Sequence, residues 1–479
     1  MSTTESSVSD DVAEDPAGAA PSGAAPPSDT GRPAPPAAEI ARNFRAFLLI
    51  WVAQMLARIG NGLTGFGLGV HVYQQTSSST AVAAVTLAAF LPGVLLTPFA
   101  GVLADRFDRR LLMILSDTLS AVGLVLLLVA MATGYGSVAV ICACVALSSV
   151  FTSVMDPAYR ATVSDLLTPE QYARAGGMVQ LAGASQFLLS PAIAGVIMVV
   201  SDVRTVIVID LATMVVTIGV MLIVWRTVRA RREPSSDDDA TTRTGFWEEF
   251  RFGVTFLARN QAVTVMMLLI TLVTFCMGFL QTLLTPMVLD LADEEALGVV
   301  RSVAAVGMIV ASIVISVFGM GTRHRAYMAV ALAFGGVVVA GMGITENVLL
   351  IGGFGFLFFL TLPVLNTSVE VLVRSAIPNE TQGRVWGLVG LISQLGYIAA
   401  YAVSGVLADY VFNPLLLSGG ALVPALGDVI GVGESRGIGL MFIIVGLLLI
   451  VMAVVIYRVR SIRTIEGEFA RHAAETERH

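Results

Sequence analysis

Twelve stretches of about 20 mostly apolar residues, each long enough to cross a bilayer as a helix, constrain this chain more than any other feature. They fall near 46 to 72, 80 to 100, 111 to 133, 137 to 155, 173 to 199, 204 to 225, 262 to 288, 296 to 318, 327 to 344, 348 to 370, 385 to 410 and 437 to 457. The composition agrees, since 56% of the 479 residues are hydrophobic, 13% are charged and the mean hydropathy is +0.83. Such a balance excludes a soluble protein. The expected fold class is therefore all-α, a polytopic membrane protein with twelve transmembrane helices.

All 28 basic residues are arginine, and their distribution sets an expected orientation. Arg106, Arg109 and Arg110 follow the second run, Arg160 and Arg174 the fourth, Arg226 to Arg232 the sixth, Arg323 and Arg325 the eighth, Arg374 and Arg384 the tenth, and Arg458 to Arg463 the last. The alternate loops are short and neutral or acidic, as in Asp290, Asp293, Glu294 and Glu295. Both termini are thus expected in the cytosol, with the chain in the cytoplasmic (inner) membrane. Residues 1–40 are rich in Ala, Pro, Ser and Asp and lack the apolar core of a signal peptide, so they read as a disordered cytosolic arm. The net charge of -7 owes much to that arm and to the loops, and it identifies no partner. Cys142, Cys144 and Cys276 lie inside apolar runs, so neither a disulfide framework nor a metal site follows.

The longest connection expected in the cytosol, 226–261, divides the membrane region into bundles at 41–225 and 262–457, with 458–479 as a tail. Gly245 to Phe252 within it form an amphipathic stretch suited to the membrane surface. The halves also resemble each other. Arg174-Ala-Gly-Gly177 precedes Arg384-Val-Trp-Gly387 by 210 residues, and Ala194-Gly195-Val-Ile precedes Ser404-Gly405-Val-Leu by the same 210. A shared offset of this size marks duplicated, pseudo-symmetric six-helix bundles, an architecture that supports alternating access around a site at the membrane midplane.

The first run carries the most informative polar stripe. Gln54, Arg58 and Asn61 fall at i, i+4 and i+7, hence on one face. Arg58 lies twelve residues beyond Ala46, roughly 18 Å into the membrane at 1.5 Å per residue. A guanidinium at that depth costs at least ~2.5 kcal/mol and belongs in a wet cavity or beside a partner. Two roles stay open for it: binding an anionic group of a substrate or a transport carboxylate, or a structural arginine satisfied by backbone carbonyls. No Asp or Glu occupies the middle of the first, fourth, seventh or tenth run, so proton coupling has no obvious central carboxylate. Asp117 and Glu370 lie close to the cytosolic ends of their runs and suit gate ion pairs, while Asp210 lies close to the outer end of the sixth. His71 is a minor titrating candidate near the outer end of the first.

Between the second and third runs stands Gly101-Val-Leu-Ala-Asp105-Arg106-Phe-Asp108-Arg109-Arg110. It resembles the loop motif G-x-L-A-D-R-x-G-R-R/K of the major facilitator superfamily, departing at Asp108, where that pattern has a second glycine. The resemblance implies a cytosolic gate in which Gly101 allows a close helix approach and Arg106 and Arg110 hold the loop in the cytosol. Asp105 would then meet the start of the eleventh helix near Gly383-Arg384, and Arg109 would pair with Asp156. Ser190-Pro191-Ala-Ile-Ala-Gly195 is similar to the G-P-x-x-G-G stretch of antiporters in that superfamily, with two glycines replaced. Asn43-Phe44, Leu91-Pro92-Gly93, Ser116-Asp117, Pro169 to Ala175 and Gly383-Arg384-Val385 resemble most the subgroup holding macrolide efflux proteins and the enterobactin exporter.

The resemblance implies a secondary transporter that exports amphipathic compounds, such as antibiotics or siderophores, on the proton motive force. It implies no cofactor, and as partners only the bilayer and a small amphipathic substrate, with an anionic group if Arg58 binds one; a monomer is expected, and nucleic acid is not. A lipid or lysolipid flippase is the alternative within transport, and a receptor or scaffold that has lost transport is the alternative outside it. No His, Cys, Ser or acid constellation suggests an enzyme. Gly431-Val-Gly433-Glu-Ser-Arg436-Gly437 superficially resembles a nucleotide loop, but no strand precedes it and Arg436 replaces the third glycine. The surrounding stretch, 412 to 435, reads instead as a short re-entrant or surface segment.

Overall fold

The computed structural model describes residues 37–227, 260–377 and 382–459, with a few positions in 251–257 and 463–467. Most of the arm, most of the linker with its amphipathic stretch, and the end of the tail therefore lie outside the described residues. Twelve described helices are long and apolar enough to cross a membrane. They are α1 (Ala37–Thr76), α2 (Ser79–Arg106), α3 (Arg109–Ala132), α4 (Val138–Leu166), α5 (Pro169–Val200) and α6 (Val203–Thr227) in the first half. In the second half they are α7 (Gln261–Leu289), α8 (Glu294–Phe318), α9 (His324–Ile344), α10 (Val348–Ala376), α11 (Gln382–Leu407) and α12 (Arg436–Arg458). We call the side on which α1 begins the terminal face and the opposite side the far face.

Helix ends follow local chemistry. Ser78 accepts from the Ala81 amide to start α2, Asp293 from Ala296 to start α8, and Asn347 from Leu349 and Leu350 to start α10. Each such cap satisfies an otherwise orphaned amide and contributes about 1 kcal/mol. Two boundaries depart from the sequence expectation. The 40 residues of α1 reach well beyond the bilayer thickness, and α4 does not stop near residue 155. It breaks for a turn at Ser153-Val154, between helical segments Val138–Thr152 and Met155–Leu166, and then continues. The polar Asp156-Pro-Ala-Tyr-Arg160 looks like a loop in the sequence but forms the first turns after that break.

Helices α1 to α6 pack among themselves, α1 on α5 and α6, α3 on α4 and α6, and α7 to α12 do the same, α7 on α11 and α9 on α12. The two bundles meet along α5 with α8 and α2 with α11. Both seams are built on glycine. A Cβ at Gly298 would lie 2.5 Å from the Pro191 carbonyl oxygen, and one at Gly195 2.9 Å from that of Glu294. On the other seam a Cβ at Gly405 would lie 2.5 Å from the Ser79 carbonyl oxygen. Gly195 and Gly405, the residues related by the 210-residue offset, therefore occupy equivalent crossings, where only a hydrogen side chain lets the backbones approach so closely.

Residues 412 to 435 form two short helices on the far face, Asn413–Leu416 and Val423–Ile430. Arg436 closes this segment: its buried guanidinium donates to the Ile430 carbonyl at 3.2 Å and lies 3.7 Å from Glu346.

Candidate substrate cavity and gates

A cavity of about 630 Å³ lies between α7, α10 and α11. Leucine, isoleucine, valine and methionine side chains make its apolar wall, and Thr274, Asn366, Glu370, Arg374 and Tyr397 supply its polar points. Glu370 and Arg374 form an i,i+4 ion pair at 2.6 Å, and both are more than half exposed, which marks the open end as the terminal face. Toward the far face the cavity ends at an aromatic layer. Phe90 of α2 stacks edge-on against Tyr397 at 5.6 Å and Tyr401 at 5.4 Å, so the layer bridges the bundles, and the Tyr401 hydroxyl donates to Gln281.

None of the stripe Gln54, Arg58 and Asn61 lines this cavity, which corrects the expectation drawn from the first run. Gln54 is buried and donates to the Met155 sulfur at 3.6 Å, so it joins α1 to α4, and Asn61 is half-buried on α1. Arg58 donates through Nη2 to Asp156 Oδ1 at 2.6 Å, with the two side chains 23% and 58% exposed. The partner that sequence reasoning could not find was hidden by the misplaced end of α4. Because the helix continues to Leu166, Asp156 sits ten residues, roughly 15 Å, inside its terminal-face end. The pair thus lies at depth on α1 and α4, with Asp156 more exposed than Arg58.

The pairing of Arg109 with Asp156 is corrected by the same observation. Arg109 instead bonds Asp165, two and a half turns further along α4, and donates to the Ala161 carbonyl at 3.3 Å. Asp108, the departure from the superfamily motif, has a clear role: its carboxylate accepts from the Arg110 and Leu111 amides and caps α3. Arg106 is exposed and Arg110 is buried. Among the described residues, a Cβ at Gly101 would meet nothing within 4 Å, so no close helix approach among them depends on that glycine. The side chains of Asp105, Gly383 and Arg384 lie outside the described residues.

Asp117 is not part of a gate ion pair. It is 6% exposed, has no ion-pair partner among the described residues, and its Oδ2 lacks a hydrogen bond, because α3 turns this face toward α4 and α6. Ser190 and Pro191 serve the packing of α5: the Ser190 hydroxyl donates to the Ile59 carbonyl of α1 at 2.9 Å, and Pro191 lies on Gly298.

The far face holds a latch that the sequence did not disclose. The Tyr73 hydroxyl donates to Asp290 at 2.6 Å, and Gln74 donates to Glu294. Asp409, just beyond α11, accepts from the Ser78 hydroxyl at 2.7 Å and from the Ser79 and Thr80 amides at 3.0 and 2.8 Å. A carboxylate of one bundle thus caps the helix start of the other, where the helix dipole also favours it. Asp290 lies beyond the end of α7, and burial pushes its carboxyl above the ordinary range, reinforced by the Glu434 charge and opposed by the Tyr73 hydrogen bond and Arg436. Arg301 was also missed, although it is the one arginine inside the eighth apolar run; it donates to the Gln281 carbonyl and Thr285 hydroxyl and lies over the Phe66 ring.

A double bundle with a chamber open on one face and a polar latch across the other defines a polytopic transporter. The sequence profile of the Major Facilitator Superfamily matches residues 50–401, and the chain belongs to that superfamily, which comprises transporters rather than enzymes. Macrolide efflux protein A of Streptococcus pyogenes is 25% identical over 396 residues, covering 80% of this chain and 94% of that protein. The multidrug efflux pump Tap of Mycolicibacterium fortuitum is 25% identical over 379 residues, covering 76% and 89%. Among solved structures, a bacterial homologue of the human lysosomal transporter Spinster, in an inward-facing and unoccupied conformation, superposes with a TM-score of 0.68. It covers 88% of this chain and 97% of its own, and at 14% identity the likeness is one of fold.

Proposed function

We propose that this protein exports amphipathic small molecules across the cytoplasmic membrane by alternating access, driven by the proton motive force, with both termini in the cytosol. The observation that carries this reading is the asymmetry of the two faces: the far face is latched between bundles by Asp409, Tyr73 and Gln74, while the cavity opens beside Glu370 and Arg374 on the terminal face. With the terminal face in the cytosol, as the arginine-rich loops favour, this is a loading state. A volume of about 630 Å³ suits a drug-sized compound, and a wall mostly apolar with a few polar points suits an amphipathic one. The macrolide and multidrug efflux relatives support the outward direction. The Arg58–Asp156 pair joins α1 to α4 by a single partly exposed contact at 2.6 Å, which suits it to open and re-form as the helices move.

The test is accumulation of a radiolabelled macrolide and a panel of amphipathic dyes in cells with and without the protein. The reading predicts lower accumulation of at least one compound in expressing cells, reversed by a protonophore. Equal accumulation of every compound contradicts export, and export indifferent to the protonophore contradicts proton coupling.

A further inference from the structure

Export on a proton gradient requires groups that take up and release protons, and the first bundle holds two carboxylates that nothing above employs. Asp210 of α6 is 1% exposed and Asp117 of α3 is 6% exposed. Thr64 of α1 donates its hydroxyl to Asp210 Oδ2 at 2.6 Å, whereas Asp210 Oδ1 and Asp117 Oδ2 are buried without a hydrogen-bond partner among the described residues. The helices that carry them, α3 and α6, pack against each other. Neither has an arginine or histidine within ion-pair distance among the described residues.

The charged and titratable groups on the packed helices are occupied elsewhere or distant. On α1, Arg58 pairs with Asp156 of α4, and His71 lies seven residues beyond Thr64, about 10 Å toward the far face. On α4, Asp165 pairs with Arg109, Arg160 is exposed, Tyr159 is buried, and the Cys142 and Cys144 thiols are half-buried. On α3, buried Arg110 lies seven residues from Asp117, toward the terminal face. On α6, Arg204 donates to the Met131 carbonyl at the far end and Arg226 is exposed at the terminal end. An ionised carboxylate held from water without a cation is costly, and a bound proton removes that cost.

We infer that Asp117 and Asp210 are the proton-binding residues of this transporter; the inference rests on the proton-coupled reading above. The geometry also ties protonation to movement. A Cβ at Gly60 of α1 would lie 2.5 Å from Asp210 Oδ1, so the unpartnered oxygen faces bare α1 backbone, one turn from Thr64. The same helix carries Arg58 at the pair with Asp156 and Tyr73 and Gln74 at the far-face latch. Uptake of a proton at Asp210 changes its hold on α1, and α1 transmits the change to both ends. Asp117, on the helix that begins at the Arg109–Arg110 loop, links the second site to the terminal face.

The experiment uses the purified full chain in nanodiscs, followed by infrared difference spectroscopy of the carboxylic-acid carbonyl band between about pH 5 and about pH 9. Wild type is compared with Asp117→Asn and Asp210→Asn, isosteric changes that keep an acceptor for Thr64; elution as a single folded species is checked for each. Loss of a titrating band in the variants, together with export that no longer responds to a protonophore, supports the inference. A band unchanged by both substitutions overturns it and leaves the proton-coupled reading standing if wild-type export still collapses with the protonophore. Wild-type export indifferent to the protonophore removes that reading, and with it the role assigned to the pair.

Discussion

At the scale of single residues, the sharpest outcome concerns Arg58. An ion pair as exposed as Arg58–Asp156 contributes about 1 kcal/mol or less to stability. Arg58→Ala is therefore expected to leave the melting temperature of the detergent-solubilised protein nearly unchanged while abolishing export, and the charge swap Arg58→Asp with Asp156→Arg to restore part of it. Full export by the single variant removes the pair from the mechanism. Asp290 gives a pH dependence whose sign follows from its environment. Its carboxyl binds a proton more tightly in the latched state than it would in water, chiefly because burial penalises the charge. Its contribution to the latch is complete below the ordinary carboxylate range and is lost as pH rises through the raised value. Spin labels across the far face should report a latched fraction that falls with rising pH over that window, and Asp290→Asn should flatten this part of the curve.

Helices and their seams show where the sequence was legible and where it was not. Twelve long apolar runs impose twelve helices because lipid offers backbone groups no other partner, and the 210-residue offset was readable because both seams require glycine. The end of α4 was not readable. Asp156, Pro157 and Arg160 are polar and turn-like by type, and their helix continues in tertiary contact with α3, α2 and α1, so the partner of Arg58 was assigned to a gate. The far-face latch was equally hidden, since Asp409 and Ser79 lie 330 positions apart and an interaction across bundles leaves no local pattern. Two substitutions test the seams. Gly298→Val must displace α5 from α8 and should destabilise the protein by about 1–3 kcal/mol, seen as a lower melting temperature. Asp409→Ala leaves the Ser78 cap but removes the bonds that tie the start of α2 to the other bundle, worth about 1–2 kcal/mol, and should raise the far-face-open population roughly tenfold in spin-label distance measurements. An unchanged distance distribution would show that Asp409 does not hold the latch.

For the whole molecule, two bundles joined along α2 with α11 and α5 with α8 can rock only if the far-face contacts break as the terminal-face cavity closes. The account stands on that exchange more than on any single side chain. The most direct measurement is export by a variant with the three native cysteines replaced, Gln74→Cys paired with Glu294→Cys, and the two new thiols joined by a short bifunctional reagent that a reductant can cleave. Gln74 and Glu294 touch across the latch, so the bridge fixes the state seen here. Alternating access predicts that bridging abolishes export and that reduction restores it. Undiminished export by the bridged protein would contradict it.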